Sequence, residues 1–218
     1  MNIFEETAQM AAGFLLQIKA IKLNNENPFT WASGRKSPIY CDNRVTLSYP
    51  EIRTFIRQKF VELINEQYGD IDVIAGVATG GIAQGALVAQ ELGKPFVYVR
   101  SEEKKHGMSN QIEGEIKAGQ SVVVIEDLVS TGKSSLIAVR ALREAGCVVK
   151  GMAAIFTYNL EVAEDNFKNE NVDLITITNY DTLIDTAIKE SYIHPDTIES
   201  LKKWRMNPEK WSDDRMDS

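Results

Sequence analysis

Apolar residues recur along this chain with two periods, and their alternation predicts strands separated by helices. Short apolar runs rich in β-branched residues lie at 72–78, 96–99, 122–125, 148–156 and 172–177, as is typical of strands buried on both faces. Between them apolar residues recur every three or four positions, which predicts helices over 49–68, 82–92, 135–145, 160–167 and 180–192. We therefore predict an α/β fold with a mostly parallel central sheet flanked by helices.

The ends of the chain depart from this alternation. A helical pattern covers 3–24, and two short apolar runs around a Ser-Gly-Arg-Lys-Ser turn then predict a hairpin. Ser48 is the predicted N-cap of the next helix, with Pro50 in its first turn. We predict one structural domain made of an N-terminal helix and hairpin (1–48), a core (49–192) and a C-terminal helix and tail (193–218). A closing helix is predicted over 196–204, and the tail has no predicted function.

The most informative stretch is 122–134. Four β-branched residues are followed by two acids, two apolar residues, Ser-Thr-Gly and a helical pattern. Backbone amides of such a loop and the N-terminus of the next helix favour a phosphate group. Glu126 and Asp127 would repel that phosphate, so we expect them to accept hydrogen bonds from hydroxyls or to hold a cation.

Two other interpretations of this stretch fit its residues less well. Gly132-Lys133-Ser134 is reminiscent of a nucleoside-triphosphate P-loop, but that motif requires a glycine where this chain has Asp127. The other alternative is an ordinary strand-loop-helix connection with two solvated acids. The combination of an apolar run, adjacent acids and Ser-Thr-Gly argues against it.

Two further segments carry candidate chemistry. Thr79-Gly80-Gly81 follows the strand predicted over 72–78, where ligands of open α/β sheets bind, and glycine lets the backbone approach an anion closely. Residues 100–114 contain almost no apolar residue and carry one arginine, two lysines and one histidine. A loop of this length in a compact domain is usually functional or disordered, and these side chains suit a pyrophosphate.

Three segments resemble those of the orotate phosphoribosyltransferases, which belong to the type I phosphoribosyltransferases. In chain order they are 29–38, 98–107 and 122–132. Residues 122–132 resemble the signature for phosphoribosyl pyrophosphate (PRPP), and 29–38 are similar to the hood segment over the base site of this family. The catalytic-loop pattern of the family is matched by Tyr98, Arg100, Lys104, His106 and Gly107. Two positions differ from many members: Ser101 replaces a lysine, and Tyr158-Asn159 stand where some members have an arginine.

The resemblance implies Mg²⁺-dependent transfer of a phosphoribosyl group from PRPP to orotate. It implies a homodimer in which the 100–114 loop reaches the partner's site. The implied catalytic residues are Lys104, His106, Arg100 and Asp127. The implied PRPP contacts are Arg100, Lys104, Lys105, His106, Thr79, Gly80, Gly81, Glu126, Asp127, Leu128, Val129, Ser130, Thr131, Gly132, Lys133 and Ser134. The implied orotate contacts are Ser130, Tyr40 and Arg44. Mg²⁺ would be held mainly by PRPP and water, with Glu126 and Asp127 approaching it and no direct protein ligand.

Composition limits the cellular compartment and the partners that we expect for this protein. The 218 residues carry a net charge of −7, which argues against a general nucleic-acid surface. Cys41 and Cys147 have no metal-ligand spacing, no apolar stretch reaches membrane-spanning length, and the N-terminal residues lack a signal-peptide pattern. We therefore expect a cytoplasmic enzyme without nucleic-acid or membrane partners. The alternatives are a phosphoribosyltransferase for adenine or xanthine, and a non-catalytic PRPP-sensing regulator.

Overall fold

A computed structural model describes residues 3–31, 33–100 and 111–216 of the protein. The strands are β1 (Ile21–Leu23), β2 (Phe29–Thr30), β3 (Lys36–Ser37), β4 (Ile39–Cys41), β5 (Val73–Val77), β6 (Phe96–Val99), β7 (Ile112–Glu113), β8 (Ser121–Val129), β9 (Val148–Thr157) and β10 (Leu174–Asn179). The α-helices are α1 (Ile3–Gln17), α2 (Pro50–Tyr68), α3 (Gly80–Leu92), α4 (Lys133–Glu144), α5 (Glu161–Asn169), α6 (Tyr180–Lys189), α7 (Ile198–Met206) and α8 (Pro208–Asp213). Two 3₁₀ turns cover Asn43–Ser48 and Pro195–Thr197.

The central sheet confirms the predicted α/β fold. Within the described residues it contains six strands in the order β10-β9-β8-β5-β6-β7, and all neighbours are parallel except β6 and β7. The side chains of β8 alternate between two hydrophobic cores. Val123 and Ile125 face the core that includes α1, α2, α3 and α6, whereas Val122 and Val124 face the core formed with α4 and α5. Both faces of the strand are therefore buried, as its continuous apolar run predicts.

The connectivity changes direction between β5 and β8. From β5 the chain proceeds to β6 on one side, while from β8 it proceeds to β9 and β10 on the other. The carboxyl ends of β5 and β8 therefore lie side by side, at the position where open α/β sheets bind ligands. Helix α3 packs closely at this point, because a Cβ atom at Gly81 would collide with the carbonyl of Ile125 on β8.

Three local predictions were wrong. The helix predicted over 3–24 ends at Gln17, Lys19 has a φ of 58°, and β1 pairs antiparallel with β4. Ser48 does not cap α2, because it ends a 3₁₀ turn and Tyr49 takes the cap position without a side-chain hydrogen bond. The stretch predicted as a loop over 100–114 contains a strand at its end, since β7 pairs with β6.

The hairpin and the tail have clear positions. Strands β2 and β3 pair antiparallel, which confirms the predicted hairpin. The closing helix runs over Ile198–Met206 rather than 196–204, and the tail forms the further helix α8. None of the helices in the described part of the chain combines the length and apolar character needed to cross a bilayer.

Candidate active site

A cleft with a volume of about 470 Å³ opens at the carboxyl ends of β5 and β8. Three segments form its walls: the end of β5 with the start of α3, the end of β8 with the loop into α4, and the chain that follows β4. The lining residues are Cys41, Asp42, Arg44, Val77, Ala78, Thr79, Gly80, Glu126, Asp127, Leu128, Ser130, Thr131, Gly132 and Ser134. Segments far apart in the sequence are thus brought to one polar site.

Two adjacent carboxylates form the floor of the cleft. The side chain of Glu126 accepts hydrogen bonds from the Ser135 hydroxyl (2.9 Å) and from the backbone N–H of Asp127 (3.0 Å). Glu126 is only 5% exposed. These two bonds fix the Glu126 carboxylate inside the protein, which leaves Asp127 as the acid better placed to meet a ligand.

Burial perturbs both carboxyl groups. It raises the pKa of Glu126 well above its usual range, and the negative charge of Asp127 raises it further. Burial also raises the pKa of Asp127, although hydrogen bonds oppose this shift. Adjacent acids with raised pKa values in a cleft, one buried and one half-buried, indicate a functional site.

We expect Glu126→Gln to stabilise the ligand-free protein increasingly as the pH rises. The pKa of Glu126 is raised on folding. Its contribution to the stability of the wild type is therefore fully present below the usual carboxyl pKa of about 4.3. That contribution is lost as the pH rises through the raised pKa of the folded group. Glutamine cannot ionise, and it keeps both hydrogen bonds because the Ser135 hydroxyl also accepts. The gain in Tm should grow by a few degrees between about pH 4.5 and pH 8.5.

Thermal unfolding of the two proteins across this pH range tests the expectation. Glu144→Gln is the matched control, because Glu144 is exposed near the end of α4. A Tm difference for Glu126→Gln that stays flat with pH would contradict the assignment of a costly buried charge.

Two residues of α5 support the loop that leads from β8 into α4. Gly132 has a φ of 75° and lies against the ring of Phe167, which a Cβ atom would strike. The side-chain amide of Asn166 donates to the carbonyl of Thr131 (2.9 Å). This support fixes the backbone just before α4, where loop amides and the helix N-terminus favour an anion.

The glycine turn after β5 faces the acids. A Cβ atom at Gly80 would collide with the carboxylate of Asp127, so only glycine allows this approach. The peptide bond between Ala78 and Thr79 is cis, and Gly80 begins α3. A second helix N-terminus is thus directed at the cleft.

The sequence predicted only part of the wall that follows β4. Arg44 lines the cleft, as predicted for an orotate contact, and forms a two-pronged ion pair with Asp42 (2.7 and 3.0 Å). Asn43 was missed: it is buried, and its amide donates to the carbonyl of Asp127 (2.6 Å), which ties this wall to the acidic strand. The adjacent polar residues Asp42 and Asn43 after an apolar run were the only sequence signal.

Several predicted site residues lie outside the lining of the cleft. Tyr40 is 40% exposed, because alternation along β4 directs Cys41 rather than Tyr40 toward the cleft. Val129 is buried in the core, and the backbone of Gly81 packs against β8. Lys133 is exposed at the first position of α4.

The predicted catalytic loop is described only at its two ends. The backbone N–H of Arg100 donates to the carbonyl of Gln111 (2.9 Å), and the Arg100 side chain lies 3.4 Å from the carboxylate of Glu113. Lys104, Lys105 and His106 lie outside the described residues, as does Ser101.

A larger cavity, of about 650 Å³, lies between α7 and α8. Its lining mixes acidic and basic side chains at the surface and contains no pair of buried acids. The cleft between β5 and β8 is therefore the better candidate for chemistry.

The described residues contain no group of three or more His, Cys, Asp or Glu side chains that could hold a metal ion. Glu126 and Asp127 nevertheless fit a hydrated Mg²⁺, which typically takes one or two carboxylates together with phosphates and water. The fit is best for Asp127, since the oxygens of Glu126 already accept two hydrogen bonds.

Comparisons with known proteins agree with this fold and identify the family. The phosphoribosyl transferase domain family matches residues 48–191. An orotate phosphoribosyltransferase of Porphyromonas gingivalis is 55% identical over 93% of this chain and 97% of its own length. One of Listeria monocytogenes is 53% identical over 97% of this chain and 99% of its own length.

A solved structure supports the same family assignment. The crystal structure of orotate phosphoribosyltransferase from Aeropyrum pernix matches with a TM-score of 0.74 and 29% identity. The match covers 85% of this chain and 100% of that chain. The chain therefore belongs to the orotate phosphoribosyltransferase family, within the phosphoribosyl transferase domain family.

Proposed function

We propose that the protein transfers the phosphoribosyl group of PRPP to orotate, giving orotidine 5′-monophosphate and pyrophosphate in pyrimidine biosynthesis. The observation that carries the proposal is the cleft itself. It joins an acid pair with one buried and one half-buried member, a glycine turn at the start of α3 and a Ser-Thr-Gly loop at the start of α4. These groups suit, in turn, ribose hydroxyls, a pyrophosphate and a 5′-phosphate.

Each wall has a separate role in the proposal. Asp127 and Glu126 accept hydrogen bonds from the ribose hydroxyls, directly or through water. The 5′-phosphate is held through backbone amides and hydroxyls by the end of β8, the loop after it and the start of α4. These residues are Leu128, Val129, Ser130, Thr131, Gly132, Lys133 and Ser134. Thr79, Gly80 and Gly81 approach the pyrophosphate. The glycine turn is suited to this because no side chain lies between its backbone and the acids.

The chemical step breaks the bond between the anomeric carbon and pyrophosphate as a ring nitrogen of orotate forms its own bond to that carbon. Negative charge grows on the leaving pyrophosphate, so groups that meet this charge lower the barrier. We assign that role to Lys104, His106 and Arg100, with Lys105 as a further phosphate contact. When bound, Mg²⁺ would neutralise part of the charge on PRPP. The PRPP oxygens and water would hold it, with Asp127 and Glu126 approaching it and no direct protein ligand.

Orotate is assigned to the wall that follows β4. Arg44 and Ser130 both line the cleft, and an arginine beside a cleft suits a carboxylate. Tyr40 is the weaker assignment, given its exposure. The position after β9 holds Tyr158, which is buried and carries no charge to pair with orotate.

The proposal includes a cytoplasmic homodimer in which the 100–114 loop reaches the partner's site. Both cysteines are free, which suits a reducing compartment. The dimer and the loop exchange rest on the resemblance alone. Nucleic acid and membranes are not among the proposed partners.

The test is the loss of orotate absorbance with purified protein, PRPP and Mg²⁺. We expect turnover only when all three are present. Parallel reactions replace orotate with adenine, hypoxanthine, xanthine or uracil. Turnover of one of these bases instead would keep the PRPP site and overturn the assignment of the base. PRPP binding without turnover of any base would favour a PRPP-sensing regulator.

A further inference from the structure

The C-terminal helices α7 and α8 contact the hairpin of β2 and β3 at several points. The backbone N–H of Lys36 on β3 donates to the hydroxyl of Ser212 (2.9 Å), and Ser212 is fully buried. Arg35 in the hairpin turn forms an ion pair with Glu209 on α8 (2.9 Å). The ion pair is exposed and contributes little, so the buried bond to Ser212 is the specific contact.

An aromatic cluster fills the space behind this contact. Trp31, in the hairpin, stacks on Tyr158 with ring centroids 5.8 Å apart and meets Trp204 of α7 edge-on at 5.9 Å. Trp204 also packs edge-on against Tyr158 at 5.4 Å and is fully buried. The tail therefore packs against both the hairpin and the residue that follows β9.

The hairpin leads directly into one wall of the cleft. Trp31 donates its indole N–H to the carbonyl of Ile39 (3.2 Å), and the buried Ser37 hydroxyl donates to the same carbonyl (2.9 Å). These bonds fix the start of β4. The chain then reaches Cys41, Asp42 and Arg44, which line the cleft opposite the acidic strand.

A second link joins the tail to the loop after β9. Arg205 on α7 donates to the carbonyl of Asn159 (3.2 Å), and its side chain lies 3.4 Å from the carboxylate of Asp181. The tail thus contacts two segments: the hairpin, which leads into the wall that follows β4, and the loop at 158–159. Among the contacts described for α7 and α8, none involves residues 126–134, which span the end of β8, the following loop and the start of α4.

From these contacts we infer that the C-terminal helices position the base-binding wall, with Ser212 and Trp204 as positioning residues. The inference rests on the proposed function, because it assigns this wall to orotate. Loss of the tail contact loosens the hairpin and, through Ile39, the placement of Arg44. The PRPP groups on β5, β8 and α4 keep their own supports, such as the bond from Asn166 to Thr131. The tail therefore affects orotate more than PRPP.

The test compares Ser212→Ala with wild type in steady-state kinetics and in PRPP binding by calorimetry. We expect the KM for orotate to rise about fivefold, the size expected for one lost hydrogen bond, while the Kd for PRPP stays within about twofold. Thr197→Val is the matched control. It removes a hydroxyl whose hydrogen bond, to the carbonyl of His194 (2.7 Å), stays inside the C-terminal segment.

Each outcome decides the question. A tail that merely stabilises the fold would lower Tm and the active fraction and leave both substrate constants unchanged, which would overturn the inference. Equal losses for orotate and PRPP would also overturn it. If Ser212→Ala does not fold, Trp204→Phe is judged by the same criterion, since phenylalanine keeps an aromatic ring against Trp31. Failure of wild type to use orotate would instead refute the proposed function.

Discussion

Lys104→Ala is expected to lower kcat by about 10² to 10³ while changing the Kd for PRPP much less. The proposed contact of Lys104 is with the leaving pyrophosphate, whose negative charge grows as the bond to the anomeric carbon breaks. An interaction that strengthens with this charge stabilises the transition state more than the ground state. The change should therefore appear in the chemical step.

Single-turnover kinetics with saturating PRPP would measure that step, and calorimetry would give the Kd for PRPP. Lys150→Ala is the control, because Lys150 is exposed on β9 near the end of the sheet opposite the cleft and its loss changes the net charge equally. Equal losses in rate and in PRPP binding would refute a role specific to the transition state.

Asp127→Asn is expected to lower kcat/KM for PRPP by about 10²-fold, the effect of one or two lost charge-assisted hydrogen bonds. Asparagine has nearly the same shape, so the close approach of Gly80 remains possible. The bond from Asn43 also remains, because it runs to the backbone carbonyl of residue 127. What changes is the charge that, in the proposed function, meets the ribose hydroxyls and Mg²⁺.

Initial rates at varied PRPP and Mg²⁺ would measure this effect. Asp185→Asn on α6 is the control, since that aspartate is exposed and lies away from the cleft. We also expect the Asp127→Asn protein to be at least as stable as wild type, because a buried charge is removed. A variant with full activity, or one that lost activity only by unfolding, would rule out the assigned role.

The C-terminal tail shows where sequence reasoning stopped. Trp204 ends the closing helix predicted over 196–204, but the sequence contains no signal for the partner of this residue. The structure places Trp204 against Trp31, about 170 residues earlier in the chain, and Ser212 against Lys36. Contacts over such separations depend on how helices are arranged around the sheet, and local periodicity does not contain that information.

The sequence by itself determined the elements with strong periodicity and the segments with distinctive chemistry. The continuous apolar run before Glu126 predicted a strand buried on both faces, and Ser-Thr-Gly after the acids predicted a loop that leads into a helix. It erred near residue 20, where a short strand continues a helical pattern and only pairing with β4 reveals it. Strands of three residues carry too little periodicity to be distinguished from a helix end.

Only the tertiary structure decided which segments meet. The order of strands sets β5 beside β8, and this brings Gly80 against Asp127. The same arrangement buries Glu126 and so raises its pKa, an effect of desolvation that no residue pattern specifies. Alternation along the paired β4 turned Cys41 rather than Tyr40 toward the cleft. The residue types came from the sequence, while their distances, burial and charge states came from the packing of the sheet.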